Sequence, residues 1–161
     1  GGAVSWGEVL RATGGALPER CGALTKHGGE EAGALQGGGG HPSRGGAVRA
    51  ALRAGGIGAV TLIHNETSTG VMSPLAEIAA VVREFPDVML IVDSVSSFSA
   101  MPIPMDELGL DVLLTGSQKA LAMPPGLAVC SASDRAFARA EQVKGCGSYV
   151  AFLQFKKNQA A

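Results

Sequence analysis

The sequence predicts an α/β fold, a three-layer sandwich with a mainly parallel sheet between helices. Short apolar runs alternate with helical patterns from residue 47 onward, which is typical of successive βαβ units. The predicted strands are nearly continuous in apolar residues, as expected when helices cover both faces of a sheet. With 161 residues, of which 46% are hydrophobic, the chain is long enough for one domain with a core.

The chain divides into two unlike parts. Residues 1–46 are rich in glycine, with the run GGGG at residues 37–40, and show little apolar periodicity. We interpret this part as a poorly ordered or divergent segment. Residues 47–161 carry the strand and helix patterns. Because the first residue is Gly1 and not Met, we expect either that a segment was removed or that the sequence is an excerpt of a longer polypeptide.

One short helix is predicted in the glycine-rich part. The stretch SWGEVLRATG has Ser5 as a candidate N-cap and Gly14 as a stop, and no element is predicted between residues 16 and 46. A phosphate-binding glycine loop is a weaker interpretation of the glycines. No apolar strand leads into them and no Lys-Ser/Thr pair follows them.

The second part begins with a helix over residues 47–55 and continues with four strands and three further helices. The strands are predicted at residues 57–64, 87–93, 111–116 and 126–133. The later helices are predicted at residues 74–85, 104–110 and 134–143. Ser73 is expected to cap the second of the four helices, with Pro74 at its first position, and Ser133 to cap the last.

Composition excludes several classes of function. The net charge of −1 provides no electrostatic surface for nucleic acid, and aromatic residues at 4% are too few to stack bases. No apolar run is long enough to span a membrane. The three cysteines are odd in number and lack metal-ligand spacing. We therefore expect reduced thiols, a cytoplasmic protein and no metal site.

Polar residues follow three of the predicted strands. They are HNETSTG at residues 64–70, DSVSS at residues 93–97 and TGSQK at residues 115–119. In parallel α/β sheets, ligands bind outside the carboxyl ends of the strands. The three stretches therefore predict one binding site at this edge.

Asp93 and Lys119 allow three interpretations. They could form an ion pair, or Asp93 could serve metal-dependent phosphoryl transfer, for which Glu66 is its only possible companion. The third is Schiff-base chemistry, in which a desolvated lysine amine attacks an aldehyde. An aspartate beside a pyridine ring would then keep the ring nitrogen protonated, so that the ring accepts electrons.

Three motifs in order, HNETSTGVMSPL, IVDSVSS and GLDVLLTGSQKALAMPPGLAV, resemble the class-V aminotransferases that depend on pyridoxal 5′-phosphate. The alanine–glyoxylate and serine–glyoxylate (serine–pyruvate) aminotransferases are the most similar members. The resemblance covers residues 47–159. It implies the central part of the large domain of a fold-type-I enzyme.

The resemblance also implies roles for individual residues. Lys119 would form the internal aldimine with the cofactor, and Asp93 would bind the pyridine nitrogen. Val95 would pack against one face of the ring. Thr67 would hydrogen-bond the phenolic oxygen, and Gln118 would help to hold the phosphate.

Four neighbouring residues are expected to support the site without doing its chemistry. Ser96 or Ser97 would support Asp93 from behind, and His64 is expected to be structural although it ends a strand. Glu66 would order its loop through backbone hydrogen bonds. Pro124 and the proline after it predict a rigid turn into the next strand.

The implied activity is transamination, from alanine or serine to a 2-oxo acid such as glyoxylate or pyruvate, by a protein that is a homodimer at full length. The sequence has no counterpart to the family's phosphate-binding turn, its stacking aromatic ring or its small C-terminal domain. A catalytically incompetent fragment that at most binds pyridoxal phosphate is therefore the first alternative. Cysteine desulfuration is the second, although Gln118 stands where such enzymes usually have a histidine. A generic nucleotide-binding α/β domain is the last.

Overall fold

The computed structural model describes residues 8–13, 32–36, 42, 44–142 and 152–159. The strands found in these residues are β1 (Glu8–Thr13), β2 (Ala32–Gln36), β3 (Ile57–Ile63), β4 (Asn65–Glu66), β5 (Val71–Met72), β6 (Met89–Asp93), β7 (Val112–Gly116) and β8 (Ala128–Ala132). The helices are α1 (Gly45–Ala54), α2 (Leu75–Val82), α3 (Met105–Leu108), α4 (Asp134–Gln142) and α5 (Phe152–Gln159). None of the helices in these ranges has the length and apolar character needed to cross a membrane.

The main sheet has the strand order β2-β1-β3-β6-β7-β8. Every neighbouring pair in it is parallel except β7 and β8, which are antiparallel. The short strands β4 and β5 form a separate antiparallel hairpin between β3 and α2. The prediction of an α/β fold with a mainly parallel sheet is confirmed.

The core lies on both faces of the sheet because successive side chains of a strand point to opposite sides. One face packs against α1 and α2 through large apolar side chains from β3, β6 and β7: Val60, Leu62, Leu90, Val92 and Leu113 against Val48, Leu52, Ile78 and Val82. The other face packs against α4 through Ala59, Met89, Val112 and Ala136. Helices on both faces give the predicted three layers.

The elements predicted from residue 47 onward are all present, with ends that differ by a few residues. Ser133 caps α4 as predicted, since its Oγ accepts the amide N–H of Ala136 at 3.1 Å. Ser73 does not cap α2, and this prediction is wrong. Pro74 occupies the N-cap position, while the hydroxyl of Ser73 donates to the carbonyl of Ile63 at 2.8 Å. The hydroxyl therefore ties the start of α2 to the end of β3.

The helix predicted from Ser5 to Gly14 is wrong where the structure describes it. Residues 8–13 form β1, which pairs in parallel register with both β2 and β3. Leu10 and Ala12, two residues apart, are both buried, which is the spacing of one face of a strand. β2 lies where no element was predicted. The other residues of the glycine-rich part lie outside the described ranges, apart from residues 42 and 44–46.

An ionic cluster holds together the end of the sheet where the parallel strands begin, opposite the predicted site. Asp111 is 1% exposed and accepts the amide N–H of Leu90 at 2.8 Å. Nε of Arg135 donates to the same carboxylate at 2.7 Å, and its guanidinium also donates to the carbonyls of Val88 and Pro86. The cluster joins the start of α4 to β6 and β7. The hydrogen bond with Asp111 raises the pKa of Arg135, although partial burial acts against it.

Candidate active site

The carboxyl ends of β3, β6 and β7 lie side by side. Ile63 pairs with Asp93, and Asp93 pairs with Leu114, so the three predicted polar stretches share one edge of the sheet. Most of the buried polar side chains in the described residues also lie at this edge: His64, Glu66, Ser73, Ser94, Ser97, Thr115 and Ser117. A buried polar side chain is costly unless it is bonded, and hydrogen bonds hold most of these side chains. Oε2 of Glu66 and Oγ1 of Thr115 are buried without a hydrogen-bond partner among the described residues.

Asp93 ends β6 and is followed by a tight turn. Its Oδ1 accepts the amide N–H of Val95 at 3.0 Å, so the carboxylate folds over its own turn. Ser94 donates to the carbonyl of Leu114 from both its amide and its hydroxyl, each at 2.9 Å. The turn after β6 is thereby attached to β7.

Lys119 lies in the loop between β7 and β8, and Ser117 closes that loop. Ser117 is 1% exposed; its amide donates to the carbonyl of Leu127 at 3.0 Å and its hydroxyl to that of Pro124 at 2.7 Å. Its carbonyl accepts the amide N–H of Met123 at 3.0 Å. Ser117 belongs to the predicted polar stretch at residues 115–119, but no role was predicted for it. A serine between a strand end and a loop with two prolines was the available signal.

The loop of Lys119 touches the turn of Asp93. The amide N–H of Ala120 donates to the carbonyl of Val95 at 3.3 Å, and the hydroxyl of Ser99 donates to the carbonyl of Ala120 at 3.1 Å. The residues next to Lys119 and Asp93 are therefore bonded across the two strand ends. The structure brings these two predicted residues to neighbouring positions, as the strand pattern implied.

The ion-pair interpretation of Asp93 and Lys119 finds no match in the described part of the chain. The ion pairs there include Arg49–Glu84 and Arg135–Asp111, and Asp93 and Lys119 form none with each other. In the same residues, no group of three or more His, Cys, Asp or Glu side chains is placed to hold a metal ion.

Gln118 is exposed beside Lys119, and its amide lies against the end of β7. A Cβ atom added at Gly116 would stand 2.7 Å from Oε1 of Gln118. Real Cβ atoms do not approach other heavy atoms so closely. Glycine at residue 116 is therefore what allows the side chain of Gln118 to fold back over the strand end.

Glu66 organises the hairpin of β4 and β5. The residue is 3% exposed, and its Oε1 accepts the amide N–H of Ser68 at 3.0 Å and its hydroxyl at 2.8 Å. Its carbonyl accepts the amide N–H of Gly70 at 2.8 Å. The prediction that Glu66 orders this loop through backbone bonds is confirmed. Thr67 is exposed in the turn, between Glu66 and Ser68.

His64 is buried at this edge of the sheet and is bonded to Ser97. Nδ1 of the ring is 2.9 Å from Oγ of Ser97, and the amide N–H of His64 donates to the carbonyl of Asp93 at 2.9 Å. Burial lowers the pKa of His64, so the ring is uncharged at pH 7. This agrees with the structural role predicted for His64. Ser97, not Ser96, makes this buried bond.

Comparison with known proteins identifies the family. Residues 47–161 match the family model described as aminotransferase class-V. The chain belongs to the class-V aminotransferase family. Class-V aminotransferases depend on pyridoxal 5′-phosphate, which is therefore the cofactor expected here. The resemblance predicted from the three motifs is confirmed.

Individual family members match over part of their length. An uncharacterised aminotransferase of Methanocaldococcus jannaschii is 44% identical over 105 residues, which are 63% of this chain and 26% of that protein. The serine–glyoxylate aminotransferase of Arabidopsis thaliana is 44% identical over 81 residues, 50% of this chain and 20% of that protein. The crystal structure of the alanine–glyoxylate aminotransferase of Nostoc sp. superposes with a TM-score of 0.84 at 28% identity, covering 96% of this chain and 42% of that one. The chain thus spans about a quarter of the length of the first of these relatives.

The residues at the edge fit pyridoxal phosphate in their chemistry. Oδ2 of Asp93 accepts no hydrogen bond from the described residues, and Nζ of Lys119 donates none to them. An anionic acceptor and a primary amine, on adjacent strand ends and not paired with each other, are the two groups that a pyridinium aldehyde requires.

Proposed function

We propose that this chain is the cofactor-anchoring part of the large domain of an aminotransferase. The enzyme moves an amino group from alanine or serine to a 2-oxo acid such as glyoxylate or pyruvate. The observation that carries the proposal is the direct bond between the loop of Lys119 and the turn of Asp93, Ala120 N to Val95 O at 3.3 Å. The names of the Arabidopsis and Nostoc proteins support this substrate class.

Lys119 is the proposed anchor and base. Its Nζ is a primary amine on an exposed residue, not on the desolvated lysine that the sequence led us to expect, and Ser117 holds the loop that carries it. Nζ would condense with the aldehyde of the cofactor with loss of water and would be set free when the amino group of the incoming amino acid replaces it. As a free amine, it would then accept the Cα proton of that amino acid. Pyridoxal phosphate, when bound, supplies an electron-poor ring that takes up the electron pair left at Cα.

Asp93 is proposed to hold the proton on the ring nitrogen. Its Oδ1 is bonded to Val95 N at 3.0 Å, so the carboxylate is oriented before any ligand arrives. Val95, in the same turn, would pack against the ring. Thr67 in the exposed hairpin turn would bond the phenolic oxygen, and Gln118 would bond the phosphate.

A titration with pyridoxal phosphate tests the proposal. The chain should develop a visible absorption band that Lys119→Ala removes and Lys157→Ala, an exposed lysine on α5, does not. Addition of alanine or serine should then change the band. Loss of the band in both variants, or in neither, would contradict the assignment of Lys119.

Two other functions predict different results in the same titration. A chain that binds the cofactor without catalysis gives the band but no change with any amino acid. Cysteine desulfuration requires a reactive thiol near the site, and a change with cysteine alone would support it. The described cysteine, Cys130, lies on β8, and partial burial raises the pKa of its thiol, which reduces its thiolate fraction.

The assembly and compartment are also proposals. A cytoplasmic homodimer of the full-length protein is what the family resemblance and the odd number of cysteines support. Sedimentation of the full-length protein at several concentrations tests the dimer, and a monomer at every concentration would contradict it.

A further inference from the structure

His64 contacts the turn that carries Asp93 at two points. Its amide N–H donates to the carbonyl of Asp93 at 2.9 Å, and Nδ1 of its ring lies 2.9 Å from Oγ of Ser97. His64 is 6% exposed and Ser97 is 2% exposed. Because the bond between ring and hydroxyl lies away from water, solvent does not replace it when one partner is removed.

The same turn is held on its other side by β7. Ser94, at the start of the turn, makes two bonds to the carbonyl of Leu114. Ser97, at the end of the turn, donates to the carbonyl of Ser94 from its amide at 2.9 Å and from its hydroxyl at 3.4 Å. The same hydroxyl is bonded to the ring of His64. Both ends of the turn that carries Asp93 and Val95 are therefore attached, and the bond to His64 is the one that comes from a side chain outside the turn.

We propose that His64 is a positioning residue, which acts through Ser97 to hold the turn of Asp93 in the orientation that binds the cofactor. This inference rests on the proposed function, because it assigns His64 to the site of Lys119 and Asp93. The imidazole contributes one buried hydrogen bond and its volume, and takes no part in the chemistry. Since the ring is uncharged at pH 7, a neutral amide at the same place can substitute for it.

Three substitutions separate the hydrogen bond from the volume of the ring. His64→Leu keeps the apolar volume and removes the bond, Ser97→Ala removes the bond from the other side, and His64→Asn places an amide group close to the position of Nδ1. The apparent dissociation constant for pyridoxal phosphate, measured from the visible band, should rise about tenfold in His64→Leu and in Ser97→Ala. His64→Asn should recover most of this loss. The double variant His64→Leu/Ser97→Ala should bind no more weakly than Ser97→Ala, which also removes the longer bond from the hydroxyl to the carbonyl of Ser94.

A matched control separates positioning from general stability. Ser133→Ala also removes a partly buried serine hydroxyl, which bonds Asp111 and Ala136 at the opposite edge of the sheet. It should lower the free energy of unfolding in urea and leave the dissociation constant unchanged. Ser97→Ala retains the imidazole, so it tests the bond even if His64→Leu does not fold.

The outcomes are distinct. An unchanged dissociation constant in His64→Leu and Ser97→Ala, equal losses in His64→Asn and His64→Leu, or additive losses in the double variant would each overturn the positioning role while the proposed function stands. If the unsubstituted chain, folded, develops no band at all with pyridoxal phosphate, the proposed function and the positioning role both fail.

Discussion

Removal of Asp111 should destabilise the fold and leave the cofactor site intact. In Asp111→Ala, the amide of Leu90, a residue 1% exposed, loses its acceptor at 2.8 Å, and a buried N–H without a partner costs about 1–3 kcal/mol. Arg135 loses both of its bonds to the carboxylate. Because the side chain of Arg135 is 45% exposed, water partly compensates, and this loss adds about 1 kcal/mol or less. The hydroxyl of Ser133 loses its bond at 3.2 Å.

Together these terms give a loss of about 3 kcal/mol in the free energy of unfolding. The assay is urea denaturation followed by far-ultraviolet circular dichroism, with the slope of the transition compared between variants. Glu84→Ala is the matched control, since it removes the acid of the exposed pair with Arg49, and it should cost much less.

Equal losses of unfolding free energy in Asp111→Ala and Glu84→Ala would contradict this prediction, because burial would then make no difference to the stability that an ion pair contributes. A second check is cofactor binding. Asp111 lies before β7, at the opposite end of the strand from Lys119. The folded fraction of Asp111→Ala should therefore bind pyridoxal phosphate like the unsubstituted chain, and a loss of binding out of proportion to unfolding would contradict this separation.

Three further predictions follow from other contacts. Glu77→Ala should lower stability by about 1 kcal/mol, because Glu77 accepts the amide N–H of Gly45 at 2.8 Å and caps α1, which has no side-chain cap of its own; urea denaturation measures it, and no loss would contradict it. Burial lowers the pKa of His64 in the folded state, so the unfolded state binds the proton more tightly and stability should fall as the pH drops below about 6.5; this part of the pH dependence should disappear in His64→Asn. Gly116→Ala should weaken cofactor binding only slightly, since its Cβ would stand 2.7 Å from the amide oxygen of Gln118 and would displace the end of this exposed side chain; Gly46→Ala, with nothing within 4 Å, should leave binding unchanged.

The fold from residue 47 onward could be predicted because apolar runs and helix-capping residues are both local features of the sequence. Apolar runs such as MLIVD and VLLTG become strands buried on both faces, and Ser133 caps the helix that follows it. The alternation of strands and helices then leaves few possible topologies. The antiparallel direction of β8 was not foreseen, since the sequence of a strand does not encode the direction of its neighbour.

The errors arose where tertiary contacts decide the local structure. Residues 8–13 carry a pattern short enough to fit a helix or a strand, and pairing with β2 and β3 makes them a strand. Ser73 has the residue type of a cap, but the carbonyl of Ile63 lies within reach of its hydroxyl. The intrinsic preference of a residue for a helix or a helix cap is small compared with the free energy of a strand pairing or a buried hydrogen bond.

The residues proposed for the site came from the sequence, whereas the hydrogen bonds around them came from the structure. Asp93 and Lys119 were assigned from their positions after apolar strands and from the motifs around them. The bonds that hold them could not be assigned, because they join residues that are distant in the chain. His64 and Ser97 are separated by 33 residues, and only the parallel register of β3 and β6 brings them together.

Lys119 is proposed to be the residue that binds pyridoxal phosphate. The most direct measurement is reduction of the cofactor-loaded chain with borohydride, followed by proteolysis and mass spectrometry of the labelled peptide. The structure predicts a single pyridoxyl label on Lys119, in the peptide that contains GSQK. A label on another lysine, or no label on a chain shown to be folded, would contradict the claim.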